Sequence, residues 1–192
     1  MTSFAPVQFR KLSFGRLLPT LLLTLLLTIA AQAFAHGPTR QKVTETIEIN
    51  ASPEAVWAIM GDFGNAHVWL PMVESTESEG GNEPGATRTL FLEGDAKIFE
   101  TLKKHNAERM MYSYRIPVDT HDIAVLPVNN YSSSITVKAA DNGSIVTWKG
   151  AFYRGYPNND PPPELNDEAA VAAVTAVYQA GLAHLKEVVE QQ

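Results

Sequence analysis

The chain has 192 residues, of which 15 are basic and 21 acidic, and its formal net charge is −6. It contains no cysteine, which excludes a thiol enzyme, a covalently attached haem and a zinc site with cysteine ligands. The acidic balance also argues against a nucleic-acid interface, which needs a basic surface, and against binding to anionic lipid surfaces.

The first 35 residues have the layout of a secretory signal peptide. Its basic start contains Arg10, Lys11 and Arg16. An uncharged, leucine-rich run covers residues 17–31, and Ala33 and Ala35 then provide the small residues of a cleavage site. Because the run is shorter than the roughly 20 residues that a membrane span needs, we predict a cleaved signal rather than an anchor. An uncleaved anchor is the alternative.

The predicted export places the mature chain in the periplasm without a stable membrane anchor. Cleavage after Ala35 would leave 157 residues that begin at His36, and cleavage after Ala33 is the near alternative. Loss of three basic residues would leave 12 basic and 21 acidic ones, for a charge of −9. We expect residues 36–192 to form a single domain, since this length suits one hydrophobic core.

The first predicted elements are a strand and a short helix. Residues 43–50 alternate between the two faces, as a strand does. Ser52 followed by Pro53 predicts a helix start, because serine caps helices and proline fits their first turn. An aromatic stretch with Phe63 and Trp69 follows the helix, and we expect these two rings near the mouth of any cavity.

Two extended segments meet at a predicted hairpin turn centred on Gly94. The predicted pairs are Leu92 with Ala96, Leu90 with Ile98, and Arg88 with Glu100. All six side chains share one face. Since either charge alone would be costly to bury on an apolar face, Arg88 and Glu100 should pair. The pair is either structural, at a cavity edge, or an anchor for a polar group of a ligand.

Two further features complete the predicted sheet. Residues 109–116 read as a strand with Tyr112 and Tyr114 on one face. The Asn-Gly pair at 142–143 predicts a tight hairpin. Its predicted pairs are Val137 with Trp148, Ala139 with Val146, and Ile135 with Gly150.

The last predicted element is a long helix that begins after Asn166 and runs to about Val189. Its apolar side contains Val171, Val174, Tyr178, Leu182 and Leu185, and its small-residue side contains Ala169, Ala173, Ala176 and Ala180. Several antiparallel strands followed by one long helix indicate an α+β fold.

The five histidines show no short ligand spacing, and no nucleotide-binding or nucleophile-elbow motif is present. We therefore predict no metal and no cofactor, and we assign no catalytic residue.

Several short segments resemble the SRPBCC superfamily, which includes START-like, Bet v 1-like and polyketide cyclase/dehydrase domains. These segments are 51–58, 61–63, 69–71, 85–90, 93–94, 100–102, 112–114, 130–131 and 146–148. The resemblance covers about 43–190. It implies a helix-grip fold, in which a curved antiparallel sheet surrounds a long C-terminal helix and leaves an internal cavity.

Within the superfamily, the leader and the segments 36–39 and 162–170 are most similar to the MxaD proteins of methylotrophs. Those proteins are periplasmic accessories of methanol oxidation. The resemblance implies a non-catalytic accessory that binds methanol dehydrogenase, its cytochrome c or a small apolar ligand. The alternatives are a cavity enzyme of the cyclase/dehydrase type and a carrier of hydrophobic molecules.

The predicted inward faces, taken with this resemblance, define a set of candidate ligand-binding residues. They are Phe63, Trp69, Arg88, Glu100, Tyr112, Tyr114 and Trp148. Rigid apolar rings with a few polar tips are typical of small-molecule sites. Plain core packing is the alternative explanation for so many aromatic side chains.

Overall fold

The structure is a computed structural model, and it describes residues 37–192. These residues form one antiparallel sheet of seven strands and two α-helices. The elements are β1 (Gln41–Ile49), α1 (Pro53–Met60), β2 (Val73–Glu79), β3 (Thr87–Leu92), β4 (Lys97–Asn106), β5 (Met111–Arg115), β6 (Val128–Ala140), β7 (Gly143–Arg154) and α2 (Asp167–Glu190). The predicted signal peptide, with either cleavage site, and His36 lie outside the described residues.

The strands follow the order β1-β7-β6-β5-β4-β3-β2, so only the first strand leaves the sequential order and closes one edge against the last. The sheet is curved, and α2 packs against β1 and β7. The predicted α+β fold with a long C-terminal helix is confirmed. Among residues 37–192, no helix has both the length and the apolar character that crossing a membrane requires.

Both helices begin where their capping residues predict. The Ser52 hydroxyl accepts a hydrogen bond from the Ala55 amide at 3.2 Å, with Pro53 in the first turn. The Asn166 side chain accepts from the Ala169 amide at 2.8 Å. Each cap satisfies one amide that the helix itself leaves without a partner.

The core lies between one face of the sheet and the apolar side of α2. On the sheet, the buried contributors include Leu102, Tyr112, Tyr114, Ile135, Val146, Trp148 and Phe152. On α2 they are Val174, Tyr178, Leu182, Leu185 and Val189. These α2 positions recur at helical spacing, which turns one stripe of the helix towards the sheet.

The β3–β4 hairpin has the predicted register. Arg88 pairs with Glu100 and Leu90 with Ile98, and the Leu92 amide donates to the Ala96 carbonyl at 2.9 Å. The turn residue Gly94 has a φ of +74°, a conformation that glycine adopts at little cost.

The predicted register of the β6–β7 hairpin is wrong by two residues. Ala140 pairs with Gly143, so the two-residue turn is Asp141–Asn142 rather than Asn142–Gly143. The pairs are therefore Val137 with Val146, Ala139 with Ser144, and Ile135 with Trp148. Gly143 has a φ of +133°, and a Cβ there would collide with the backbone of Ile49 and Ala51. The glycine permits this close approach. A shift of two keeps every side chain on its predicted face.

Candidate functional site

A cavity of about 760 Å³ lies among the hairpin of β3 and β4, the chain after β5 and one side of α2. Its apolar wall includes Leu90, Ile98, Ile116, Leu126 and Val177. This volume falls in the range of small-molecule sites, roughly 300–1,000 Å³, and an apolar wall with a few polar groups is typical of them.

The cavity has a buried interior and an exposed rim. Glu100, Tyr114, Tyr131 and Trp148 are buried lining residues and form the interior. The rim consists of the exposed lining residues Pro71, Glu74, Glu93, Ala124, Ala176 and Ala180. The small alanine side chains of α2 leave the space at the rim open, so a molecule could enter between α2 and the β3–β4 hairpin.

Glu100 of the cavity interior forms an ion pair with Arg88, which does not line the cavity. Arg88 Nε donates to Glu100 Oε2 at 2.6 Å, and Arg88 Nη1 donates to the Phe63 carbonyl at 2.8 Å. The guanidinium carbon lies 4.2 Å from the centre of the Phe63 ring and 5.2 Å from that of Tyr114. Two aromatic faces and two acceptors therefore compensate the buried cation. The predicted pairing of Arg88 with Glu100 is confirmed.

Burial opposes the charge of both partners. It is the largest single influence on Arg88 and would lower its pKa, but the interactions with Glu100, Tyr112 and Tyr114 together outweigh it and hold the pKa above its ordinary value. Burial raises the pKa of Glu100, and the charge and hydrogen bond of Arg88 oppose that rise. Since Arg88 keeps its proton, the pair is a guanidinium beside an acceptor oxygen.

The other interior polar atoms form a connected hydrogen-bond network. Trp148 Nε1 donates to Ser133 Oγ at 2.8 Å and to the Tyr114 hydroxyl at 3.2 Å. The Tyr178 hydroxyl lies 3.0 Å from Ser133 Oγ and 2.6 Å from the Tyr131 hydroxyl. The rings of Trp148 and Tyr178 stack with their centres 4.0 Å apart, which ties β7 to α2.

The structure places three of the seven candidate residues on the cavity wall: Glu100, Tyr114 and Trp148. The other four lie outside its lining and are buried in what we call the packed layer, namely Phe63, Trp69, Arg88 and Tyr112. Phe63 and Trp69, which we expected near the mouth, have no exposed surface and do not line the cavity. Trp69 packs against Trp148 with ring centres 5.3 Å apart. Whether any of the seven contacts a ligand stays a prediction.

Several lining residues have no place in the candidate set. These additional lining residues include Tyr131, residues 124–126, and Ala176 and Ala180 of α2. A signal existed for the alanines, since the small-residue side of the last helix was recognisable. The loop before β6 has no periodic pattern that would place it over a cavity.

Two of the five histidines bond to backbone carbonyl groups. His105 Nε2 lies 2.8 Å from the Gly61 carbonyl, and His121 Nε2 lies 2.8 Å from the Leu126 carbonyl. Across residues 37–192, no three carboxylate or imidazole groups lie close enough together to hold a metal ion.

Residues 40–190 match the family described as polyketide cyclase/dehydrase and lipid transport. The chain belongs to this family. The predicted superfamily is thus confirmed, while the closer relation to MxaD proteins stays a prediction. A comparison with curated protein sequences gives no match.

Solved structures of the same fold include two bacterial proteins with sequence similarity. An uncharacterised protein from Bacillus thuringiensis is 31% identical over 78% of this chain and 99% of its own, with a TM-score of 0.65. The protein XoxI from Bacillus cereus is 32% identical over 78% of this chain and 95% of its own, with a TM-score of 0.64. Norcoclaurine synthase from Thalictrum flavum is 14% identical over 97% and 98% of the two chains, with a TM-score of 0.62, and shows the fold alone.

Proposed function

We propose that this member of the polyketide cyclase/dehydrase and lipid transport family binds a small, mainly apolar molecule in its cavity. The observation that carries the proposal is an apolar space of about 760 Å³ with a buried carboxylate, Glu100, on its wall. The open rim beside α2 supplies a route of entry.

The direct test is to close the rim. A helical side chain covers the turn before its own position, so Ala180→Trp would place an indole over Ala176 and Val177, both of which line the cavity. Ala172→Trp is the matched control, because Ala172 is exposed on the same helix and is not a lining residue, and by the same rule its indole would cover residues 168–169, which do not line the cavity.

The probe for this test is N-phenyl-1-naphthylamine, an uncharged dye whose fluorescence rises in apolar surroundings. The wild-type protein and Ala172→Trp should bind it saturably, and Ala180→Trp should lose at least about tenfold in affinity. Equal binding by all three proteins, or none by the wild type, would contradict the proposal.

At the level of the cell, we propose that binding serves methanol oxidation in the periplasm, without catalysis of a step by this chain. Three sequence features support this role: the likeness of the leader and two short segments to MxaD proteins, the charge of −9 expected after cleavage, and the absence of cysteine. That charge would favour a basic partner, such as methanol dehydrogenase or its cytochrome c, and added salt would weaken the contact.

Deletion of the gene tests the cellular role. Growth on methanol should slow while growth on succinate does not, and purified protein should raise the rate of electron transfer from methanol dehydrogenase to its cytochrome. Unchanged rates in both assays would refute the accessory role. N-terminal sequencing of the periplasmic protein should give His36, or Phe34 as the second choice, and a full-length product held in the membrane would refute export.

A cavity enzyme is the second candidate function, and the position of Glu100 favours it. This carboxyl lies inside the cavity with a raised pKa, which burial causes, and such groups are suited to proton transfer. Turnover of a small molecule that Glu100→Gln abolishes would establish this function.

A further inference from the structure

The charged side chains that line the cavity all have the same sign. Among the described residues, the lining contains Glu74, Glu93 and Glu100 and no lysine, arginine or histidine. Glu74 and Glu93 are exposed at the rim, and Glu100 is buried in the interior. A carboxylate ligand would have to pass the first two, and inside it would add an uncompensated negative charge beside Glu100, whose own charge Arg88 already balances.

The interior has one hydrogen-bond acceptor and one donor that the described part of the chain does not use. Arg88 donates to Glu100 Oε2, while Glu100 Oε1 receives no hydrogen bond from any residue in 37–192. The Tyr114 oxygen accepts from Trp148 Nε1, but its own hydroxyl hydrogen has no acceptor within that same range. Both residues adjoin Arg88, which donates to Glu100 at 2.6 Å and lies 5.2 Å from the Tyr114 ring centre. A hydroxyl group both donates and accepts, so it complements this pair.

The protonation of Tyr114 fits the donor role. Burial raises its pKa well above the ordinary value, and the charge of Glu100 adds to the rise. The phenol therefore keeps its proton at neutral pH. A ligand ammonium group suits the site less well, because Arg88 already compensates Glu100 and a second cation would add a net charge to the interior.

We infer that the cavity selects an uncharged, mainly apolar molecule with a hydroxyl group that donates to Glu100 Oε1 and accepts from the Tyr114 hydroxyl. This inference rests on the proposed function, because it names the ligand class of the same cavity. A site built around a hydroxyl disfavours analogues without one, since its own polar atoms then stay unpaired.

Three probes with one carbon skeleton test the inference: 2-naphthol, naphthalene and 2-naphthoate, each titrated into the purified protein by calorimetry at neutral pH. We expect 2-naphthol to bind about tenfold more tightly than naphthalene, which cannot form the hydrogen bonds. We expect 2-naphthoate to bind at least about tenfold more weakly than 2-naphthol, because it carries a negative charge.

Two variants assign the effect to residues. Tyr114→Phe should reduce the preference for 2-naphthol over naphthalene several-fold. Trp148 Nε1 does not lose its last partner in this variant, because it keeps its hydrogen bond to Ser133. The double variant Arg88→Met with Glu100→Gln removes both charges and should reduce the discrimination against 2-naphthoate. Tyr112→Phe is the matched control, because Tyr112 lies on the same strand, is equally buried and does not line the cavity.

The outcomes separate the two proposals. If naphthalene binds and 2-naphthol gains nothing, or if 2-naphthoate binds as tightly as 2-naphthol, the hydroxyl inference is wrong and apolar binding stands. An equal change for all three probes in Tyr114→Phe would also overturn the inference. If no probe binds, the proposed function fails and the hydroxyl inference fails with it.

Discussion

Tyr112 and Tyr114 lie two residues apart on β5 and face the same side of the sheet, yet they belong to two different regions. Tyr112 is part of the packed layer, with the rings of Trp57 and Phe63 each 6.1 Å from its own. Tyr114 lies on the cavity wall. In the packed layer, the Tyr112 hydroxyl and Trp69 Nε1 have no hydrogen-bond partner among the described residues.

In the cavity region, by contrast, the polar atoms of the aromatic side chains are hydrogen-bonded. There the Trp148 indole and the hydroxyls of Tyr114, Tyr131 and Tyr178 are joined through Ser133 or through one another. Unpartnered buried polar atoms cost stability, whereas connected ones fix the positions of side chains. The aromatic side chains of the packed layer therefore fill volume, while hydrogen bonds fix the positions of those in the cavity region.

The largest expected effect comes from the charge pair that joins the two regions. Arg88→Met should lower the free energy of unfolding by about 3–5 kcal/mol, because it leaves Glu100 buried without its counter-charge. Glu100→Gln should lie at the upper end of that range. Arginine cannot give up its proton, whereas a lone Glu100 can become neutral by taking one up. Urea denaturation measures both.

The double variant Arg88→Met with Glu100→Leu is the control for this prediction. It removes both charges, so it should recover much of the loss of either single change. Losses near zero for both single variants would mean that water reaches the pair, and the division between a packed layer and a cavity would then fail at this point.

The β3–β4 hairpin shows what the sequence was able to predict. A three-residue loop around Gly94 and alternating faces define the register, and they place Arg88 opposite Glu100 on an apolar face. The fold class and the start of both helices were equally accessible, because capping residues and periodic apolar positions are local signals.

The division between packed layer and cavity could not be predicted in the same way. Strand parity assigns Tyr112 and Tyr114 to the same face, and it cannot distinguish a sealed position from one that borders a space. That difference depends on which distant side chains contact each ring: Trp57 and His105 pack against Tyr112, whereas the cavity lies next to Tyr114. The predicted register of the β6–β7 hairpin was wrong for a related reason. Gly143 packs closely against the backbone at the end of β1, a distant contact that the local sequence does not reveal.

The two tyrosines give the next largest effect. Tyr114→Phe should lower the free energy of unfolding by about 0.5–1.5 kcal/mol, because it removes an acceptor of Trp148 Nε1. Tyr112→Phe should change it by less, because it removes a buried hydroxyl that lies near Arg88 but makes no hydrogen bond of good geometry in residues 37–192. Denaturation curves of the two variants under one set of conditions provide the measurement. A larger loss for Tyr112→Phe would invert the comparison.

The smallest expected effect concerns the loop beside the cavity, where His121 Nε2 bonds to the carbonyl of the lining residue Leu126. Burial lowers the pKa of His121, while the Leu126 hydrogen bond and Asp122 oppose that shift. The Val128 backbone also opposes the shift, but Nδ1 is buried without a hydrogen bond in the described chain, and the pKa stays below its ordinary value. The folded state therefore takes up a proton on His121 less readily than the unfolded state.

The contribution of His121 to stability is fully present above the ordinary imidazole pKa of about 6.5 and is lost as the pH falls from there towards the lower folded value. His121→Gln keeps a side-chain amide donor for the Leu126 carbonyl but does not titrate. The difference between the wild-type and variant urea midpoints should be constant above about pH 7 and should shift against the wild type below about pH 6. Parallel midpoints across that interval would show that the loop leaves His121 open to solvent, and the cavity region would then lack a fixed wall on this side.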